Sequence, residues 1–435
     1  MALPASWQDL WHQLIRRAPR SRDADPAAWN VGAAATRAFA RSVWGIFVPA
    51  VLPIAGYGTY SLLQTTAAVM SQVGILGTPQ TLLRQPGRRL PIAGLFVHDV
   101  LIACLLLPLL LLRGGVADRW YDVLVVGMAV TLIGYGIVVA RAKAASAFAA
   151  VFAAEAVGGL ALLAALGGLL LAGHGGRVRD TSYVTVATLE VIVTVVVVVA
   201  LVVPRKTRIT REELRFAGTR TVLPSVYSVG FLVLLDLVIF RRLEMYFLQA
   251  SPDGLQGVAV FGLGAQLAGL LLLFPTAILE AWMPGLATSF ASAWPAFDGH
   301  FATNRRAYRR AFALVVAASI IGPPVLVRML FARYMPWVWY IGAFTAIRVV
   351  CGYAGLYSSA LYVTRGERWL YLPGLLGAVV GIVFNWLFTI PWGIRGAVVA
   401  FALTQGTVAI GTLVAFRAAI PSMRREAGSG VTGLA

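Results

Sequence analysis

The 435-residue chain is 59% apolar and only 12% charged, with a formal net charge of +18 and a mean hydropathy of +0.80, whereas ordinary soluble domains are roughly 45–50% apolar and about 25% charged. This excludes a large water-soluble enzyme domain, because a single buried core stops growing near about 250–300 residues, and it makes lipid the solvent. With about 20 residues per crossing, plus connecting loops, the length accommodates about twelve to fourteen spans.

Residues 1–28 hold no uninterrupted apolar core of the kind a secretory signal needs. Trp7, Leu10, Trp11, Leu14 and Ile15 instead recur on one helical stripe, with Arg16, Arg17, Arg20 and Arg22 directly behind. This predicts an interfacial helix on anionic lipid, a disordered basic tail being the plainer alternative. Apolar windows then predict twelve spans, at about 30–54, 57–79, 91–112, 120–141, 146–172, 183–203, 217–240, 255–283, 307–330, 336–363, 369–389 and 394–416. Arg37 and Arg41 interrupt the first, and Pro49 and Pro53 bend it. Cys104 and Cys351 both lie in apolar stretches, so neither a disulfide framework nor a cysteine metal site is expected.

The longest hydrophilic connection, Pro204 to Phe216, falls between the sixth and seventh spans and divides the chain six plus six. The predicted organisation is an amphipathic and basic N-terminal segment (1–28), an N-terminal lobe (29–203), a basic linker (204–216), a C-terminal lobe (217–416) and a tail (417–435). Gly58-Thr59-Tyr60 near the start of the second span and Gly257-Val258-Ala259 near the start of the eighth are 199 residues apart, the spacing of a duplicated six-helix unit.

With the N-terminus placed inside, 24 of the 36 basic residues fall on the cytoplasmic side, nine on the other and three within spans. The positive-inside rule therefore places both termini and the linker in the cytoplasm. No basic run is interleaved with stacking aromatics outside the apolar segments, so a nucleic-acid partner is not expected. Thirty-four of the 36 basic residues are Arg, the bias of a GC-rich genome, which suggests a bacterial inner membrane.

No enzyme signature emerges, and neither a cofactor nor a metal site is expected. His98 and Asp99 are adjacent, about 100° apart around a helix, which argues against a bonded dyad. Charges inside spans are more informative, since each costs at least about 2.5–3.5 kcal/mol at the bilayer centre. Arg37 and Arg41, four apart on one face, and the deeper Arg348 are the candidates for a cationic, phosphate-binding cavity. Snorkelling to headgroups is the plainer reading of the first two. Asp99, Glu155 and Asp236 are candidates for proton or ion coupling, or else structural partners of arginines; Glu190, in a β-branched run, reads as a lone polar contact. Tyr334, Trp337, Trp339 and Tyr340 read as an interfacial belt.

Two segments resemble a known family. Ile54 to Gln85 carries Gly56, Tyr57, Gly58, Tyr60, Ser61 and Leu62, then a small-residue helix, Gly77 and Arg84, and is similar to the second helix of polysaccharide repeat-unit (Wzx-type) flippases. Asp236 to Pro284, with Gly257 and Pro275, resembles that family's seventh and eighth helices, although the aromatic following the Gly is displaced to Phe261. The resemblance implies a member of the exporter superfamily uniting multidrug and toxin extruders with oligosaccharide-lipid flippases. It implies an all-α polytopic membrane protein with about twelve spans in two six-helix lobes around a central cavity. On this reading the substrate is an undecaprenyl-pyrophosphate-linked glycan, membrane lipid carries its tail, and polysaccharide polymerase and glycosyltransferase proteins are its neighbours. A cation-coupled multidrug extruder, suited by Asp99 and Glu155, and a non-transporting scaffold of a polysaccharide assembly complex are the alternatives.

Overall fold

The computed structural model describes residues 36, 39–40, 43–75, 77–79, 82, 90–108, 119–145, 147–172, 182–202, 209–210, 212–216, 219–220, 222–223, 226, 243–364 and 366–427. Every regular element among them is helical. The N-terminal lobe contains α1 (43–51), α2 (Ile54–Ile75), α3 (Ile92–Cys104), α4 (Arg119–Ala144), α5 (Phe148–Ala172) and α6 (Tyr183–Val202). The C-terminal lobe contains α7 (Glu244–Gln249), α8 (Gly254–Ser292), α9 (Trp294–Leu330), α10 (Val338–Gly352), α11 (Gly355–Val363), α12 (Tyr371–Phe384) and α13 (Ile390–Glu426). Seven helical runs among the described residues are long and apolar enough to cross a bilayer, and one of them, 59 residues from Arg368 to Glu426, is long enough for two crossings.

Within the first lobe α2 packs on α3, α4 and α6, and α5 on α4 and α6; within the second, α8 packs on α9 and α10, and α13 on α10 and α12. The lobes meet along α2 and α8. That seam dictates the composition of α2, in which Tyr57 through Leu63 are all buried, so the helix has no lipid face along that stretch. Small residues let the backbones approach. A Cβ on Gly58 would stand 2.9 Å from the Leu255 carbonyl carbon and closer still to its oxygen, and one on Gly262 would stand 2.8 Å from the Ser61 hydroxyl. α6 behaves oppositely: Ile192, Val195, Val196 and Val199 are exposed, as a lipid-facing valine run should be.

The predicted spans that fall on described residues lie where helices form, most of the seventh (217–240) and the start of the first lying outside them, but α8, α9 and α13 run past their spans, α9 beginning at Trp294 rather than near 307 and α13 ending at Glu426 rather than near 416. The extension of α9 is amphipathic. Phe297, Phe301, Tyr308 and Phe312 bury one face in an aromatic cluster with Tyr353, Tyr357 and Phe416, while Arg305, Arg306, Arg309 and Arg310 occupy the exposed face. An apolar-window search is blind to such a segment, because half of its face is charged.

The described part of the linker is fastened rather than free. Glu213 is gripped by Arg141 at the end of α4 through two 2.8 Å bonds, accepts from the Thr210 backbone and hydroxyl, and offers its carbonyl to the Ala93 N–H near the start of α3. Burial raises the Glu213 carboxyl, but these donors outweigh it and hold the group below its ordinary value.

Candidate functional site

Tyr60 and Gln64, four residues apart, share the face of α2 that looks at α6. Glu190 on α6 accepts from both, at 2.7 Å from the Tyr60 hydroxyl and 2.8 Å from Gln64 Nε2. The Tyr60 oxygen is itself hydrogen-bonded by Trp44 Nε1 of α1 at 2.9 Å and by Gln64 Nε2 at 2.7 Å, which leaves its own proton for the carboxylate. Three helices are thereby tied to one acid. Glu190 is therefore not the lone polar contact its sequence suggests but the centre of this network, because the β-branched run exposes only part of its circumference.

Glu155 on α5 is 4% exposed and accepts a hydrogen bond from the Tyr135 hydroxyl of α4. Glu155 and Glu190 line the same cavity, together with Tyr135, Thr194, Gly158 and Gly159. Its volume is about 40 Å³, room for roughly two or three waters. Each carboxylate is the eighth residue of its helix, which places it about 10 Å from that end at 1.5 Å per residue. The donors described at Glu190 are neutral, and the cavity brings the two carboxyl-bearing residues into one lining. The donor set is all oxygen, as a hard cation requires, and no group of three or more His, Cys, Asp or Glu among the described residues forms a metal cage.

Of the other predicted residues, Asp99 and Arg348 are not among those that line this cavity. Arg37, Arg41 and Asp236 lie outside the described residues, as does the amphipathic segment 1–28. Asp99 is fully buried on α3, where it accepts from the Thr78 hydroxyl at 3.2 Å, and Gly74 of α2 packs on its carbonyl. It also meets His98 Nδ1 at 3.0 Å, correcting the expectation that the adjacent pair stays apart. A 100° separation at Cβ still lets an imidazole and a carboxylate touch at their tips. Arg348 is half-buried on α10, and its guanidinium acts on Glu244.

Glu244 was missed by the sequence, which ended the seventh span at 240. It is 1% exposed, and neither carboxylate oxygen makes a hydrogen bond among the described residues. Its neighbours lie beside the middle of α2: Thr65 donates to the Met245 sulfur at 3.1 Å, and the Tyr246 hydroxyl donates to Thr66 at 3.0 Å. α7 is therefore at membrane depth. The run Arg241-Arg242-Leu243-Glu244 hides this from a hydropathy window. Tyr334, expected in the interfacial belt, is also fully buried, packed edge-on against Tyr57 of the other lobe, whereas Trp339 is 79% exposed as the belt requires.

No family model and no curated protein matches the sequence. Solved structures do match the fold. An inward-facing multidrug resistance MATE family transporter of the MOP superfamily superimposes with a TM-score of 0.66 at 15% identity, over 95% of this chain and 98% of the other. An outward-facing multidrug resistance MATE family transporter gives 0.62 at 16%, over 95% and 98%. A MATE structure in complex with MaL6 gives 0.61 at 14%, over 95% and 99%. The chain has the MATE transporter fold, a multi-pass architecture of two six-helix lobes.

Proposed function

We propose that this protein is an alternating-access exporter of a lipid-linked oligosaccharide, driven by exchange of a proton or small cation at Glu155 and Glu190. The observation that carries the reading is the meeting of buried Glu155 and half-buried Glu190 around one cavity of about 40 Å³ within a single lobe. Such a site is too small for an organic substrate and of the wrong sign for an anionic one, so it suits an ion that drives transport rather than the cargo. The cargo then travels between the lobes. In support, the described contacts along the α2–α8 seam lie where both helices begin. With both termini cytoplasmic, that end of the seam is the outer one. Arg348, with Arg37 and Arg41, would receive the pyrophosphate.

A cation-coupled multidrug extruder is the second reading, favoured by structural neighbours that are multidrug resistance transporters. One genetic experiment separates them. In a deletion strain, surface polymer is scored after complementation with the parent, Glu190→Gln and Arg348→Ala at matched membrane abundance. Loss of polymer, with lipid-linked repeat units retained on the cytoplasmic leaflet, is the expected result for the deletion and both variants. Normal polymer in the deletion, accompanied by sensitivity to cationic drugs, overturns the flippase reading in favour of the extruder.

A further inference from the structure

α1 ends at residue 51 and Pro53 follows. A proline has no N–H, so the Pro49 carbonyl four residues earlier cannot be satisfied along the chain, and Ala50 lies in the same last turn, where carbonyls lack helical partners. The structure supplies a partner from the opposite lobe. Arg333, in the 3₁₀ turn Ala332–Trp337 between α9 and α10, donates through Nη2 to both the Pro49 and the Ala50 carbonyl oxygens at 2.5 Å. Its guanidinium carbon lies 5.9 Å from the centroid of the Tyr334 ring, which packs edge-on against Tyr57 with centroids 6.5 Å apart. A cation thus sits at the negative end of a helix, on the C-terminal lobe, against an aromatic pair that crosses the seam.

We infer that Arg333 is a gate clasp that holds the two lobes together at the outer end of the seam and must release α1 whenever that end opens. The sequence gives no hint of it, since Arg333 looks like one more loop cation. The partners are backbone carbonyls, so breaking the clasp strands no buried counter-charge on α1, and both sides can take water once the lobes part. That makes the clasp reversible, which a buried ion pair would not be. Charge-assisted bonds of this kind are nonetheless strong enough to bias an equilibrium between two states.

The clasp rests on the alternating-access reading and is independent of the cargo. The test is a distance measurement by pulsed electron spin resonance on the full chain in lipid nanodiscs, with Cys104→Ala and Cys351→Ala as background. Spin labels go on Ser182→Cys and Trp339→Cys, exposed residues at the outer ends of α6 and α10. Arg333→Ala is expected to raise the ratio of long to short distances at least about tenfold, Arg333→Lys to raise it less, and Arg328→Ala, an exposed cation at the end of α9, to leave it at the parent value. An Arg333→Ala distribution equal to the parent's, in a sample of equal abundance and thermal stability, overturns the clasp. A parent that shows a single distance in both acidic and neutral buffer, and keeps it in Arg333→Ala, overturns alternating access as well.

Discussion

Gly58→Ala tests the seam most directly. The added Cβ would stand 3.3 Å from the Leu255 Cα and 2.9 Å from its carbonyl carbon, with the oxygen closer still. Ordinary carbon contacts lie at about 3.5–4.0 Å, and the obstruction is backbone, which cannot rotate away as a side chain can. α2 and α8 must therefore part by about an ångström where they begin. Overpacking of this kind costs about 1–3 kcal/mol, and since about 1.4 kcal/mol is a factor of ten, the closed arrangement should lose about five- to hundredfold against any arrangement in which these helices separate. Gly127→Ala on α4 and Gly269→Ala on α8 are the controls, because a Cβ at either meets nothing within 4 Å. The assay is the spin-label distance between positions 182 and 339, read beside the thermal midpoint. Gly58→Ala should lengthen the distance with little loss of midpoint, since the strain is relieved by opening. A fall in midpoint with the distance unchanged would refute the reasoning, because it would mean that the seam is a fixed core and not a surface that opens.

Three further outcomes follow from the described contacts. The Glu213 carboxyl is held below its ordinary value by Arg141 and Thr210 against the effect of burial, so its contribution to stability is complete above the unfolded value near about 4.3 and disappears as pH falls through the lower folded value; the parent's thermal midpoint should therefore drop more steeply than that of Glu213→Gln over that acid range, and equal slopes would remove the linker clamp from consideration. Asp253 Oδ2 accepts the Ile394 N–H at 2.6 Å beside Gly393, whose φ is +58°, so Asp253→Ala should cost about 1 kcal/mol, as loss of a helix cap does, while Asp253→Asn, which keeps an acceptor, should cost less in the same melt. The Tyr334 hydroxyl is buried with no hydrogen bond among the described residues, so Tyr334→Phe should leave the midpoint unchanged or raise it slightly, whereas Tyr334→Ala should lower it by removing a ring packed on Tyr57.

Hydropathy made the helix count and order readable, because a bilayer forces long apolar runs whatever the cargo. It failed where charge lowers the window. The Arg305 to Arg310 face of α9 reads as loop, and in the sequence the Arg241-Arg242 pair, which lies outside the described residues, cost Glu244 its place among the candidates. The site was legible one residue at a time but not as a set. Glu155 stood out as an acid inside a span, yet its companion Glu190 was discounted on the character of its neighbours, and nothing in the spacing of residues 60, 64, 155 and 190 shows that α2, α5 and α6 converge. Arg333 was beyond reach, since its partners are carbonyl groups that every residue has.

The 199-residue correspondence between Gly58 and Gly257 gains meaning from the seam. Gly58 lets α2 approach Leu255 at the start of α8, while a Cβ on Gly257 would stand 3.1 Å from Leu248 and Asp253 and 3.4 Å from Ile394 within its own lobe. Both glycines thus clear space where their helices begin. Carried along the same offset, however, Tyr60 corresponds to Ala259 and Gln64 to Leu263, two fully buried apolar residues. The face that binds Glu190 in the first lobe is therefore erased in the second. At the same offset Glu190 corresponds to Thr389, which is buried and donates to Asn385 at 2.7 Å. Among the described residues, then, the second lobe answers the carboxylate with a neutral pair, so a network of this kind can hold a bundle without an acid; the acid is what the proposed ion site needs, and Arg333 is what the second lobe extends to the first.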